Sequence, residues 1–191
     1  MPAFGSFGSI VSGAKGRPAR WFSSSPPAVS RAAPRKRSVA LEKNSGGALK
    51  IQIYYGMSLG GKAADLISQV TNGVVDISYT LPGYHAGRFP ILEGLELPFV
   101  GKNGEQTSVA AWDWIEKHAH REFTDFKLIS VNAIDSGLVH TSRTPVRKLE
   151  DMRGLKLRVA GRYIGMAVAS FGAVPVQMPL PDVYDALAKG Q

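Results

Sequence analysis

The sequence predicts an α/β protein built from parallel strand–helix–strand units, and two stretches carry that prediction. Residues 151–191 read as strand, helix, strand and helix in turn, and residues 49–79 read as strand, helix and strand. The composition agrees with a soluble globular chain: 44% hydrophobic and 20% charged over 191 residues. No run of the roughly 20 apolar residues needed to cross a membrane is present.

In chain order, residues 1–38 are rich in Gly, Ser, Pro and Arg, with seven Lys or Arg and no Asp or Glu. Such a segment buries too little apolar surface to offset ordering, so disorder is expected. It has no apolar core of the secretory kind. Its acid-free, Arg- and Ser-rich composition resembles a mitochondrial transit peptide. Val39–Lys43 reads as the end of a helix stopped by Asn44-Ser45-Gly46-Gly47. Leu49, Ile51, Ile53 and Tyr55 alternate with polar or aromatic partners as in a strand. Lys62–Thr71 is expected as a helix burying Ala64, Leu66, Ile67 and Val70, and Val74–Tyr79 as the next strand. In the loop that follows, Phe89, Leu95, Leu97 and Phe99 are expected in the core. Gln106–Phe123 is expected as one long helix with Val109, Trp112, Ile115, Ala119 and Phe123 on one face. Lys127–Ile134 and Leu138–Arg143 are expected as strands. Leu155–Val159, Arg162–Phe171, Ala173–Met178 and a helix opened by Asp182 complete the second unit, with Gly172 at a left-handed helix end.

Ligands of open α/β sheets bind beyond the C-terminal ends of the strands. Arg158 lies near that end of its strand and is the first candidate for function. Tyr84 and His85 follow the Val74–Tyr79 strand in a Pro- and Gly-rich loop, which makes Tyr84 a candidate hydroxyl for a bound acid. Gly56–Lys62 fits G-x-x-x-x-G-K between a strand and a helix, the context of a phosphate-cradling loop. Ala63 stands where the magnesium-holding Ser or Thr would be. His118 and His120 are two apart and diverge around a helix, so they cannot form an i, i+4 metal pair. No cysteine is present, which excludes thiolate metal sites and a cysteine nucleophile. No nucleophile with an evident base and no paired carboxylates stand out, so neither catalysis nor a cofactor or metal is expected.

The net charge of +8 is concentrated in residues 1–38, because the remaining chain holds 16 basic and 15 acidic residues. A nucleic-acid-binding domain would carry its excess on the folded part. Nucleic acid is therefore not an expected partner.

DMRGLKLRV, GAVPVQMP and DVYDALAKG, preceded in order by NSGGALKIQIY, LGG, VTNGVVDISY, GRFP and ELPF, resemble the DctP-type solute-binding proteins of TRAP transporters. These are periplasmic receptors of organic-acid uptake. The resemblance implies a two-lobe fold of the periplasmic-binding-protein kind, residues 39–135 forming the first α/β lobe and residues 136–191 the start of the second. It implies that Arg158 clamps a ligand carboxylate, that Met178 and Leu180 form an apolar wall, and that His140 lies on the segment crossing between lobes, within reach of a ligand. The NSGG, GRFP and VHT variants point to a C4-dicarboxylate-like acid, and membrane permease subunits are the implied partners. A signal peptide, first strand and first helix are expected where residues 1–38 lie, and a mispredicted start competes with a genuine presequence as the origin of that segment. The chain stops inside an ALAKG-x-VDG-like motif, so the resemblance implies an incomplete receptor that does not bind alone. The competing readings are a P-loop-like nucleotide-binding enzyme and a ligand sensor of the same fold without transport.

Overall fold

The computed structural model describes residues 7–12, 19–23, 32–97, 99–135 and 137–190, with side chains described from residue 36 onward except residue 37. Strands β1 (Phe7–Ser12), β2 (Ala19–Ser23), β3 (Ile51–Tyr55), β4 (Ile77–Thr80) and β5 (Lys127–Ala133) form one sheet in the order β3-β2-β4-β1-β5. β2 runs parallel to both β3 and β4, and β1 runs antiparallel to β4 with Ser9 opposite Thr80. β6 (Lys156–Val159) and β7 (Val174–Gln177) form a second, parallel sheet with Arg158 opposite Val176.

Two strands inside residues 1–38, and a helix α1 (Ala32–Asn44) that begins well before Val39, correct the expectation of a structureless extension there. The physical reason is a ladder partner: β-favouring Ile10, Val11, Trp21 and Phe22 pair with β4 and β3, which composition alone does not reveal. The expectations for residues 1–6, 13–18 and 24–31 lie outside the described residues. α1 ends as expected, with Gly47 N–H donating to the Glu42 carbonyl and positive φ at Gly46 and Gly47.

Two compact units divide the chain: Ser9–Thr80 with Phe123–Ser130, and Leu81–Glu122 with Val131–Gln191. This partition differs from lobes of 39–135 and 136–191. In the first unit, helix α2 (Leu66–Thr71) packs on β4 and buries Leu66, Ile67 and Val70, with Ala63 rather than Ala64 completing the face. The G-x-x-x-x-G-K turn is closed by its own side chains. Lys62 N–H donates to the Asp65 carboxylate at 2.7 Å, and Gln69 Nε2 donates to the Gly60 carbonyl. A resident carboxylate therefore holds the amide a phosphate would need.

In the second unit, helix α3 (Pro90–Glu93) packs against residues 115–119. Its first amides, Ile91 and Leu92, donate to the Glu122 carboxylate at 2.6 and 3.2 Å. This distant cap satisfies groups that a helix leaves open at its start. The long helix expected over Gln106–Phe123 is interrupted. Helix α4 (Gly104–Trp114) gives way to a π-turn (Ile115–Ala119) and a 3₁₀ turn (His120–Phe123). The buried stripe is Ala111, Ile115 and Ala119, while Val109 is 64% exposed. Ile115 and Ala119 are thus buried as expected, Ala111 joins them, and Val109 does not. Residues 138–141 are not a strand and have no ladder among the described residues; Leu138 is 72% exposed. Leu97 and Phe99, expected in the core, are also exposed, and Leu92 is buried instead.

The remaining elements follow the expected order. Helix α5 (Arg162–Ser170) packs on β6 and β7, and Gly172 takes φ +81 at its end. Met152, Val159, Val168 and Ala173 are the buried centre between them. Helix α6 (Val183–Ala188) starts after Asp182, which holds the cap position without a side-chain cap hydrogen bond.

Leu66→Ala should lower unfolding free energy by about 2–5 kcal/mol, because Leu66 is fully buried. Val109→Ala should change it by less than about 0.5 kcal/mol. Urea unfolding of both variants checks the assignment, and a large loss for Val109→Ala would contradict the observed helix face.

Candidate functional site

The second unit brings four of the five expected site residues together. β6 alternates Leu157 and Val159 against Lys156 and Arg158, and places Arg158 half-buried at its C-terminal end. Arg158 Nε donates to the Met178 carbonyl at 2.9 Å, just beyond the end of β7. Arg158 Nη2 donates to the Tyr84 hydroxyl at 3.2 Å. The same hydroxyl accepts the Leu180 N–H at 3.1 Å. Met178 and Leu180 thus take part through backbone atoms, whereas the expectation was an apolar wall. His140 stands outside the group, exposed on the irregular segment 138–141 and joined to the other four by no hydrogen bond among the described residues.

Two consequences follow for the donors. Arg158 has no carboxylate partner among the described residues, and its Nη1 group and second Nη2 N–H have no protein acceptor there. The Tyr84 oxygen already accepts twice, so its own proton is available to donate. Guanidinium and phenol together present N–H and O–H groups with no competing acceptor, the arrangement that suits an anionic, acceptor-only group such as a carboxylate.

The turn carrying Tyr84, a 3₁₀ turn over Pro82–Tyr84, is fixed by residues that sequence reasoning missed. Gly83 N–H donates to Glu96 Oε1 at 3.2 Å, and its carbonyl accepts Gln177 Nε2 at 3.4 Å. A Cβ on Gly83 would stand 2.9 Å from the Gly161 Cα, and one on Gly161 would stand 2.6 Å from Glu96 Oε2. A side chain at Gly83 would therefore force a backbone shift, and one at Gly161 would displace the Glu96 carboxylate. Glu93 and Glu96 are almost fully buried. Glu93 Oε1 accepts the Gly87 N–H, and its Oε2 lies 2.7 Å from Arg162 Nε as a charge pair without hydrogen-bond alignment. A signal for this cluster was present. Two glutamates three apart in the otherwise apolar run Leu92–Leu97 share one face of a helical turn.

Burial pushes the Glu96 carboxyl up to about 7; the Gly83 N–H opposes the shift, the nearby Glu93 adds to it and Arg162 opposes it.

A guanidinium, a phenol and backbone groups thus meet at the C-terminal edge of a parallel sheet, a grouping rich in hydrogen-bond donors. Residues 27–191 match the family model of the bacterial extracellular solute-binding proteins, family 7 (DctP), and the chain belongs to this family. The match begins 12 residues before the stretch in which the resemblance was visible.

Among solved structures, a TRAP solute-binding protein from Rhodoferax ferrireducens T118 in complex with benzoate is 37% identical with a TM-score of 0.88, covering 92% of this chain and 55% of that one. A marine metagenome TRAP solute-binding protein in complex with 3-hydroxybenzoate is 38% identical with a TM-score of 0.84, covering 92% and 56%. The 2,3-diketo-L-gulonate-binding periplasmic protein YiaO of Escherichia coli K12 is 27% identical over 158 residues, 81% of this chain and 48% of that protein. The chain spans about half the length of these relatives. Its fold is α/β, of their two-lobe periplasmic-binding-protein kind, represented in part. Among the described residues no helix is long and apolar enough to cross a membrane.

Because Glu96 titrates higher in the folded state than in the unfolded chain, its contribution to stability is full below about pH 4.5 and is lost as pH rises through about 7. The loss is on the order of 3 kcal/mol. Glu96→Gln should flatten the decline measured by urea unfolding between pH 5.5 and 8. An unchanged decline in that variant would show that another group is responsible.

Proposed function

We propose that this chain is the acid-binding part of a TRAP-type receptor that captures a small organic acid in the periplasm for a membrane permease. The observation that carries the reading is the half-buried Arg158 guanidinium, held by Met178 and Tyr84 and matched to no carboxylate among the described residues. With Nε engaged, a ligand carboxylate meets the Nη1 and Nη2 groups end-on and takes a further hydrogen bond from Tyr84. The side chains of Met178 and Leu180 serve the carbon skeleton, and His140 is an outlying contact at most.

Within this class we favour an aromatic monocarboxylic acid. The supporting likeness is to two receptors 37% and 38% identical, solved with benzoate and with 3-hydroxybenzoate. A C4-dicarboxylate, the class suggested by the NSGG, GRFP and VHT variants, needs a second cation for its far carboxylate. Arg162, on the helix that follows Arg158, is engaged with Glu93.

Calorimetric titration of the full-length protein with benzoate, 3-hydroxybenzoate, mandelate and succinate tests the proposal. Arg158→Lys keeps the charge but loses the planar fork. Each charge-assisted hydrogen bond contributes roughly 1.5–3 kcal/mol, so the variant should weaken acid binding about tenfold or more with little change in thermal stability. Wild-type affinity in Arg158→Lys would remove Arg158 as the clamp. Succinate bound more tightly than the three aromatic acids would return the ligand to the dicarboxylate class.

A further inference from the structure

We propose that Glu96 and Gln177 are positioning residues for acid binding, which hold both backbone polar groups of Gly83 and so set the Tyr84 hydroxyl against Arg158. The inference rests on the acid-receptor reading and assigns within it two residues that touch no ligand. Tyr84 stands on a three-residue turn with no sheet ladder of its own, so its placement depends on what fixes Gly83. Glu96 takes the Gly83 N–H from one side, and Gln177, next to Met178, takes the carbonyl from the other. The approach of Gly83 to Gly161 brings this turn against the segment that follows β6, three residues beyond Arg158. Arg158, Tyr84 and Leu180 are thereby held in one hydrogen-bonded group, and a small displacement of Gly83 separates the phenol from the guanidinium.

The carboxyl of Glu96 also couples this arrangement to protons. The groups facing it are the Gly83 N–H from the turn, Glu93 from α3, and the Gly161 backbone and Arg162 at the start of α5. His85 follows Tyr84 on the same turn, its ring edge-on to Phe89. A carboxylate bound beside Tyr84 adds negative charge near Glu93 and Glu96, where Arg162 is already paired with Glu93. Neutral Glu96 is then favoured, so binding takes up a proton and affinity falls as pH rises from 6 to 8. The carboxyl sits at about 7, inside that window.

The test is calorimetric titration of the full-length protein with the tightest-binding of the four acids above, at pH 6, 7 and 8, with thermal unfolding of each variant. Glu96→Ala and Gln177→Ala should each weaken binding by about five- to tenfold, the value of one hydrogen bond. Glu96→Gln keeps an acceptor for Gly83, so it should restore affinity at pH 6 and abolish the pH slope. Gln177 is exposed, so Gln177→Ala remains informative if Glu96→Ala does not fold. Wild-type affinity in both alanine variants, with loss in Arg158→Lys, overturns the positioning roles and leaves the receptor reading standing. A pH slope that persists in Glu96→Gln overturns the coupling. Absence of binding to all four acids by the wild-type protein overturns the receptor reading, and the positioning roles fall with it.

Discussion

Arg158 is half-buried, its Nε on a carbonyl and one Nη on a phenol, and no described carboxylate balances its charge. Partial burial of a cation is costly unless dipoles or an anion compensate it. Here the Met178 carbonyl and the Tyr84 oxygen supply the dipoles, and under the proposed function a ligand brings the anion. Had Glu93 or Glu96 been placed against Arg158, the pair would have been self-satisfied and the site closed to acids. The two glutamates instead serve Gly87, Gly83 and Arg162. The fold thus keeps its buried acids near the site but directed at other partners.

That separation depends on backbone proximity. A Cβ at Gly83 or Gly161 would fall inside the space of the opposing Cα or of the Glu96 carboxylate. Neither glycine has a positive φ in this structure, so steric clearance rather than backbone freedom explains them. Close approach lets a hydrogen bond from the Tyr84 turn reach β7 and lets Glu96 reach the turn. It also excludes water from Glu96, which raises its proton affinity. Packing and acidity are here two results of one contact.

Much of this was legible in the sequence. Strict alternation in Leu155–Val159 and the Gly172 stop placed Arg158 at a strand end and gave β6, α5 and β7 in order. Asn44–Gly47 likewise marked a helix end. What failed were features set by partners distant in the chain. Leu138–Arg143 alternates like a strand, yet a strand needs a ladder, and none is present among the described residues. Phe7–Ser12 and Ala19–Ser23 have unpromising composition, yet a ladder is available to them. Val109 fits the same ideal helical face as Ile115 and Ala119, yet it is exposed while Ala111 is buried, and the helix changes to a π-turn at Ile115. Gln177 gave no signal, since an exposed glutamine at a strand end is ordinary until the turn it touches is known.

The donor pattern also sets what the site discriminates. With its oxygen occupied by two donors, Tyr84 can only donate, and every free group on Arg158 is an N–H. A carboxylate offers acceptors only and satisfies all of them. The corresponding amide turns an NH2 group toward these donors and leaves buried hydrogens opposed, a mismatch that costs far more than the loss of a methylene from an apolar wall. Under the proposed function, selectivity for the acid over its amide or alcohol therefore rests on Arg158 and Tyr84 together. Selectivity among acids comes from the apolar surroundings, where each methylene contributes only about 1–3 kcal/mol. On that reading, one polar pair fixes the carboxylate and leaves the carbon skeleton to its apolar surroundings.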